Sequence, residues 1–140
     1  IRVHAIDVGT NQLVWKLRND PRVIVKEQFN ARYMTPDDIG EEIDLIVSDV
    51  SFISLTKILP AAFPLLREGG DALVLIKPQF ELQPEDIGHG GIVRDPLLHR
   101  KAVDSIRTFV TETLGRQWMG CEDSPITGTD GNREFLAWLK

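Results

Sequence analysis

Residues 43–52, Ile-Asp-Leu-Ile-Val-Ser-Asp-Val-Ser-Phe, contain the strand around which we expect the rest of this chain to fold. Its apolar side chains leave almost no polar alternation, which predicts a strand over residues 43–49 that is buried on both faces. The strand ends on a carboxylate, Asp49. Because the carboxyl ends of the strands form the ligand crevice of an open parallel sheet, Asp49 is expected to face a ligand.

Two further charged residues lie at strand ends. A turn at Gly69-Gly70 is predicted to lead into a buried strand that ends on Lys77, and a last strand over residues 134–139 begins with Glu134. A lysine held between two carboxylates could orient or deprotonate a weakly acidic hydroxyl for attack on an electrophile. A structural ion pair at the end of the sheet is the alternative.

The remaining pattern alternates strands with helices. Strands are predicted over residues 2–8, 23–29 and 116–122, and helices over residues 53–66 and 96–114. A helix capped by Thr10 or Asn11 follows the first strand, residues 31–42 form a polar segment with a short helix, and residues 78–95 form a long surface loop. These elements predict one α/β domain over residues 1–140, with a mostly parallel sheet and an antiparallel C-terminal pair of strands. That variation is found in Rossmann-like methyltransferases.

Asp7 and Asn30 follow the first two predicted strands. An acid at such a position accepts hydrogen bonds from ribose hydroxyls in nucleoside-binding folds, and Asn30 could contact the edge of a base. A helix cap at Asp7 and a turn residue at Asn30 are the alternatives.

Composition narrows the class of protein. The net charge of −5 argues against a chain that holds a nucleic-acid backbone by its overall charge alone. No apolar run approaches the ~20 residues of a membrane span, so no membrane partner is expected. The single cysteine, Cys121, excludes an internal disulfide and fits a reducing, cytoplasmic compartment. The histidines lack metal-ligand spacing, so no metal is expected.

Four motifs, in order, resemble one family. They are Ser-Asp-Val-Ser-Phe-Ile-Ser-Leu at 48–55, Ile-Lys-Pro-Gln-Phe-Glu at 76–81, Gly-Gly-Ile-Val-Arg-Asp-Pro at 90–96, and Ser-Pro-Ile-Thr-Gly at 124–128 with Gly-Asn-Arg-Glu-Phe at 131–135. The chain is similar throughout its length to the TlyA, or haemolysin A-like, family. These are FtsJ-type, S-adenosylmethionine-dependent ribosomal RNA 2′-O-methyltransferases.

The resemblance implies a Lys-Asp-Lys-Glu tetrad for ribose methylation, and Asp49, Lys77 and Glu134 match its last three members. It implies S-adenosylmethionine as cofactor, held by Asp7, Asn30 and Asp49. The expected partner is ribosomal RNA or a ribosomal subunit, contacted by the intact protein. The first lysine, the first strand with its glycine-rich loop and an S4-like RNA-binding domain would precede Ile1, and the isolated chain is then an N-terminally truncated, inactive piece. A non-catalytic interaction module on a methyltransferase-like scaffold is the alternative function.

The strand order expected from the resemblance is 3-2-1-4-5-7-6, which puts the missing first strand between residues 2–8 and residues 43–49. Unpaired strand edges seek partners. We therefore expect the strand of residues 2–8 to slide across the slot and pair with residues 43–49, using residues 31–42 as a flexible hinge. A homodimer, in which a second copy fills the slot, is the other expected outcome.

Overall fold

The computed structural model describes residues 1–140, except for the side chain of Thr129. Its six strands form two sheets. The strands are β1 (Val3–Ile6), β2 (Val23–Lys26), β3 (Ile43–Ser48), β4 (Leu66–Ile76), β5 (Trp118–Asp123) and β6 (Phe135–Leu139). β1 and β2 pair in parallel, and the larger sheet has the order β3-β4-β6-β5. Among the described strands of the larger sheet, β6 alone runs in the opposite direction to the other three, so it pairs antiparallel with both β4 and β5. The predicted α/β class with an antiparallel C-terminal pair is confirmed, and both sheets match parts of the expected strand order.

Five α-helices and several single turns connect the strands. The helices are α1 (Trp15–Arg18), α2 (Pro36–Ile39), α3 (Leu55–Ala62), α4 (Pro78–Glu81) and α5 (Pro96–Thr108). Short 3₁₀ turns cover Ala31–Tyr33, Phe63–Leu65, Pro84–Asp86, His89–Gly91 and Thr129–Gly131, and a π-helical turn covers Phe109–Thr113. Of the helices that the structure describes, none is long and apolar enough to cross a membrane.

The core lies between α3, α5 and one face of the four-stranded sheet. Its buried members are Leu55, Leu59, Phe63, Ala72, Val74, Ile76, Ile106, Val110, Phe135, Ala137 and Leu139. The other face of the sheet exposes Leu45, Val47, Leu73, Leu136 and Trp138. The prediction that β3 is buried on both faces is therefore wrong. β3 lies at the edge of the sheet, and the helices of the core cover only one of its faces.

β1 does not pair with β3, so the predicted slide is wrong. The segment that was to act as a hinge is ordered. Its helix α2 begins with a capping box formed by Thr35 and Asp38. The Glu41 carboxylate then accepts a hydrogen bond from Arg2, and its Oε1 lies 2.7 Å from His4 Nε2. These contacts tie the start of β1 to the segment that precedes β3, while β1 makes its strand pairing with β2.

Gly69 and Gly70 lie inside β4 instead of forming the predicted turn before it. The register between β3 and β4 shifts at this point, from Ile43 opposite Leu66 to Leu45 opposite Asp71. Gly69 has a φ of 74°, and a Cβ at Gly70 would lie 3.1 Å from the Asp44 carbonyl oxygen. The two glycines therefore form a bulge, which lengthens the strand.

Two helix predictions had mixed outcomes. α5 covers residues 96–108 of the helix predicted over 96–114, and it buries Ala102 and Ile106. The helix predicted after the first strand is only the single turn α1, which begins at Trp15, and its Leu17 is exposed. Asn11 has a φ of 54°, which prevents a helix from starting at that residue. The predicted loop of residues 78–95 contains α4 and two 3₁₀ turns, so it is not without structure.

Candidate functional site

Asp49 and Lys77 meet at the carboxyl ends of β3 and β4. The parallel register pairs Ser48 with Val74, so residues 51 and 77 lie level with each other beyond the strand ends. Lys77 Nζ lies 2.6 Å from Asp49 Oδ1 and donates a hydrogen bond to Ser51 Oγ at 3.0 Å. The Lys77 side chain is only 11% exposed, whereas that of Asp49 is 68% exposed. The ammonium group is therefore held from two sides in a largely covered position.

Glu134 occupies the next place across the sheet. β6 pairs Phe135 with Ile76, and one further step of this antiparallel register puts Glu134 opposite Lys77. Glu134 is buried, with 7% of its surface exposed. Among the described side chains, no ion pair joins Glu134 to Lys77. The structure thus brings the three predicted residues to one end of the sheet, with Asp49 as the ion-pair partner of the lysine.

An aromatic pair borders the lysine, and the sequence interpretation did not include it. The Phe52 ring is 89% exposed and lies 5.1 Å from the Phe80 ring, centroid to centroid, at an interplanar angle of 51°. Phe52 has a φ of 63°, a left-handed conformation that is costly for a bulky side chain. A strained backbone with an exposed ring directly beside charged strand ends is a common feature of binding sites. Its only signal in the sequence is an aromatic residue soon after Asp49.

Glu81 connects the two loops that carry this site. Its carboxylate accepts hydrogen bonds from Ser54 Oγ at 2.5 Å and from the Leu55 backbone amide at 2.9 Å. The start of α3 is thereby held against α4, which follows Lys77. Burial raises the pKa of Glu81, and the two hydrogen bonds oppose that shift. Glu81 is therefore part of the frame that fixes the loops after β3 and β4.

Asp7 lies at the mouth of a second region, between β1 and β3. A cavity of about 280 Å³ there is lined by Asp7, Leu13, Glu27 and Val47 among others. One Asp7 oxygen, Oδ1, accepts the Gly9 amide at 2.7 Å, which is a local turn contact. This space is the place of the first strand in the expected order 3-2-1-4-5-7-6, so the cavity by itself does not define a cofactor pocket. Asp7, directly after β1, carries the carboxylate that suits the ribose hydroxyls of an adenosine-containing cofactor.

Asn30 is held close to Asp7 through the backbone. The Phe29 amide donates to the Asp7 carbonyl oxygen at 3.1 Å, and Asn30 Oδ1 accepts the Arg32 amide at 3.0 Å. The amide contact is the turn role considered as the alternative for Asn30. A larger cavity of about 350 Å³ lies elsewhere, between α5 and β5, and none of the predicted site residues lines it.

Residues 1–140 match the family model for FtsJ-like methyltransferases. The chain belongs to the FtsJ-like methyltransferase family. It is 46% identical over 138 residues to the 16S/23S rRNA (cytidine-2′-O)-methyltransferase TlyA of Mycobacterium tuberculosis, which covers 99% of this chain and 51% of that protein. A solved structure described as a hemolysin from Streptococcus thermophilus superposes with a TM-score of 0.94 at 48% identity, over 99% of this chain and 50% of the other. The resemblance drawn from the motifs is confirmed.

A more distant structure supports the fold class alone. An S-adenosylmethionine-dependent methyltransferase from Methanosarcina mazei superposes with a TM-score of 0.62 at 13% identity. The match covers 99% of this chain and 81% of the M. mazei chain. The chain spans about half the length of TlyA from M. tuberculosis. Membership of a methyltransferase family of this type implies S-adenosylmethionine as the methyl donor.

Proposed function

We propose that this chain forms the larger, C-terminal part of a ribosomal RNA 2′-O-ribose methyltransferase domain. The observation that carries the proposal is the ion pair between Lys77 and Asp49 at the ends of two neighbouring strands, with Glu134 opposite the lysine. The activity for which TlyA from M. tuberculosis is named, methylation of a cytidine 2′-oxygen in rRNA, supports the same reaction class.

Lys77 acts on the ribose hydroxyl. A lysine ammonium has three N–H donors, and Asp49 and Ser51 accept two of them here. The third is available to the 2′-oxygen of a bound ribose. A hydrogen bond from the ammonium would orient this oxygen and stabilise the negative charge that grows on it as its bond to the methyl carbon forms, while the hydroxyl proton would pass to solvent. The cofactor, when bound, supplies that methyl group on a positively charged sulfur.

Asp49 and Glu134 orient the lysine. Asp49 holds the ammonium directly at 2.6 Å, whereas Glu134 lies buried opposite Lys77 on the neighbouring strand and acts by shaping the surroundings of the ammonium. Neither carboxylate needs to take part in bond formation. Their work is to keep the ammonium within hydrogen-bonding distance of one hydroxyl, which is the geometric condition for catalysis.

The cofactor is assigned to the carboxyl ends of β1, β2 and β3, where Asp7, Asn30 and Asp49 follow the strands. The Asp7 oxygen that does not bind the Gly9 amide would accept the ribose hydroxyls of S-adenosylmethionine. Asn30 would contact the adenine, and Asp49, at the end of β3, would lie toward the reacting end of the cofactor. This arrangement follows the ligand position at the carboxyl ends of parallel strands.

The target nucleotide is assigned to the Phe52 ring. An exposed aromatic ring next to the lysine provides a stacking surface for a base, and such stacking accepts any base identity. The chain carries a net charge of −5, so most of the contacts to RNA phosphates are expected from other parts of the protein or from the ribosome. Ribosomal RNA or a ribosomal subunit is the proposed partner.

Substitution of Lys77 tests this function. In the full-length protein that carries these residues, Lys77→Ala should abolish the incorporation of labelled methyl groups into ribosomal RNA. Cofactor affinity should stay nearly the same, because the lysine acts on the hydroxyl. Lys57→Ala is the matched control, since Lys57 is an exposed lysine on α3 to which no role in the site is assigned.

The result separates the enzyme from the alternative of a non-catalytic interaction module. Unchanged turnover in Lys77→Ala, with the same cofactor affinity, would remove the catalytic role of the lysine. Absence of methyl transfer by the unsubstituted full-length protein on both ribosomal subunits would favour the interaction module.

A further inference from the structure

We infer that Gly128 is a positioning residue for Glu134, an inference that rests on the proposed function. An ideal Cβ placed on Gly128 would overlap Glu134 Oε1 and would lie only 2.7 Å from Glu134 Cδ. Real Cβ atoms essentially never approach other heavy atoms so closely. The carboxylate of Glu134 therefore occupies the space that any side chain at position 128 would take.

Backbone conformation does not explain a glycine at this position. Six other glycines of the chain have left-handed φ angles, between 64° and 81°, which favour glycine. Gly128 is not among them, so its backbone is open to other residues. Its lack of a side chain serves the contact with Glu134.

The backbone on both sides of this contact is fixed. The Gly128 amide donates to the Asn132 carbonyl oxygen at 2.7 Å, and the Ser124 amide donates to the Glu134 carbonyl oxygen at 2.8 Å. Asn132 is buried, and its side chain accepts the Val93 amide at 3.0 Å and donates to the Gly91 carbonyl oxygen at 3.1 Å. The loop around Gly128 is thus tied to a second loop through a buried amide.

An added methyl group would consequently move the carboxylate of Glu134 more easily than it would move the loop. The carboxylate is the far end of a flexible side chain, whereas the neighbouring backbone atoms are hydrogen-bonded. Glu134 lies opposite Lys77 in the sheet register, so its displacement changes the surroundings of the ammonium. A misplacement of about 1 Å in a catalytic constellation can lower the rate about 100-fold.

The test is Gly128→Ala in the full-length protein. We expect kcat for methyl transfer to fall on the order of 100-fold, with cofactor affinity and Tm within the range of the control. The control is Gly120→Ala in β5, where a Cβ meets no described atom within 4 Å and φ is not left-handed. A crystal structure of Gly128→Ala should show the Glu134 carboxylate displaced and the Asn132 hydrogen bonds retained.

A second background keeps the test independent of any general effect on folding. In Glu134→Asp the shorter side chain withdraws from position 128, so adding Gly128→Ala should lower kcat much less than it does in the unsubstituted protein. Equal fold losses in both backgrounds would overturn the inference, and so would equal kcat for Gly128→Ala and Gly120→Ala. Lys77→Ala is measured in parallel. If Lys77→Ala stays active the proposed function fails, whereas an inactive Lys77→Ala beside a fully active Gly128→Ala refutes only the role of Gly128.

Discussion

Two substitutions of Phe52, by alanine and by glycine, distinguish the cost of its strained backbone from the contribution of its ring to substrate binding. Phe52 has a φ of 63°, and a left-handed backbone costs a residue with a Cβ about 1–2 kcal/mol. Alanine keeps that cost, whereas glycine removes it but loses about 0.5–1 kcal/mol more conformational entropy on folding. The difference predicts that Phe52→Gly unfolds with a free energy about 0–1.5 kcal/mol higher than that of Phe52→Ala.

Both variants remove the ring that we assign to the target base. The ring is 89% exposed, so its removal leaves the core unchanged. Stacking of one base on an aromatic side chain contributes about 1–3 kcal/mol. At about 1.4 kcal/mol per factor of ten, kcat/KM for methylation of ribosomal RNA should fall between about 5-fold and about 150-fold in both variants. Phe52→Trp should retain most of the activity, because it keeps an aromatic surface.

Two measurements on the full-length protein check these values: urea unfolding for stability and initial methylation rates at varied RNA concentration for kcat/KM. A Phe52→Ala variant with unchanged kcat/KM would refute the assignment of the ring to the base. A glycine variant that is less stable than the alanine variant would refute the strain at this residue. Cofactor affinity should be the same in the three Phe52 variants as in the unsubstituted protein, since the ring is assigned to the target base and the cofactor to Asp7, Asn30 and Asp49.

Three further changes have distinct expected outcomes. Asp7→Ala should weaken the binding of S-adenosylmethionine to the full-length protein by about 1.5–3 kcal/mol in calorimetry. Asp7→Asn can still accept the hydrogen bond from the Gly9 amide, so it separates the effect of the charge from that of the turn contact. Unchanged affinity in Asp7→Ala would leave Asp7 with a local role only. Gly70→Ala should destabilise the protein by about 1–3 kcal/mol in urea unfolding, because its Cβ would lie 2.5 Å from Leu66 Cδ2 and close to two backbone oxygens. Stability equal to that of Gly120→Ala would contradict the close approach of the backbones at Gly70. Burial raises the pKa of Glu81 in the folded protein above its ordinary value of 4.5, so the contribution of Glu81 to stability is present below that value and is lost as the pH rises through the folded pKa. Glu81→Gln should remove this part of the pH dependence of unfolding. Parallel pH profiles for the two proteins would contradict it.

The sequence alone was enough to predict which residues end the strands of the larger sheet. The second halves of β3 and β4 are apolar runs that are followed by Asp49 and Lys77, and strands in a parallel pair end at the same edge of a sheet. The antiparallel C-terminal pair was predicted in the same way, from two apolar runs joined by a segment rich in proline and glycine. These features depend on local patterns and on the fixed geometry of a sheet, which is why they could be predicted without coordinates.

Only the tertiary structure decided which faces are covered and which loops touch. One face of β3 is exposed because α3 and α5 pack against the other face only. An apolar sequence such as that of residues 43–48 is compatible with burial of one face or of both, so the sequence could not decide between them. The ordered segment before β3 follows from Glu41 meeting Arg2 and His4, residues far away in sequence. The contact between Gly128 and Glu134 depends on a loop held by the buried side chain of Asn132. Such contacts arise between backbones brought together by the whole fold, and no periodicity in the sequence encodes them.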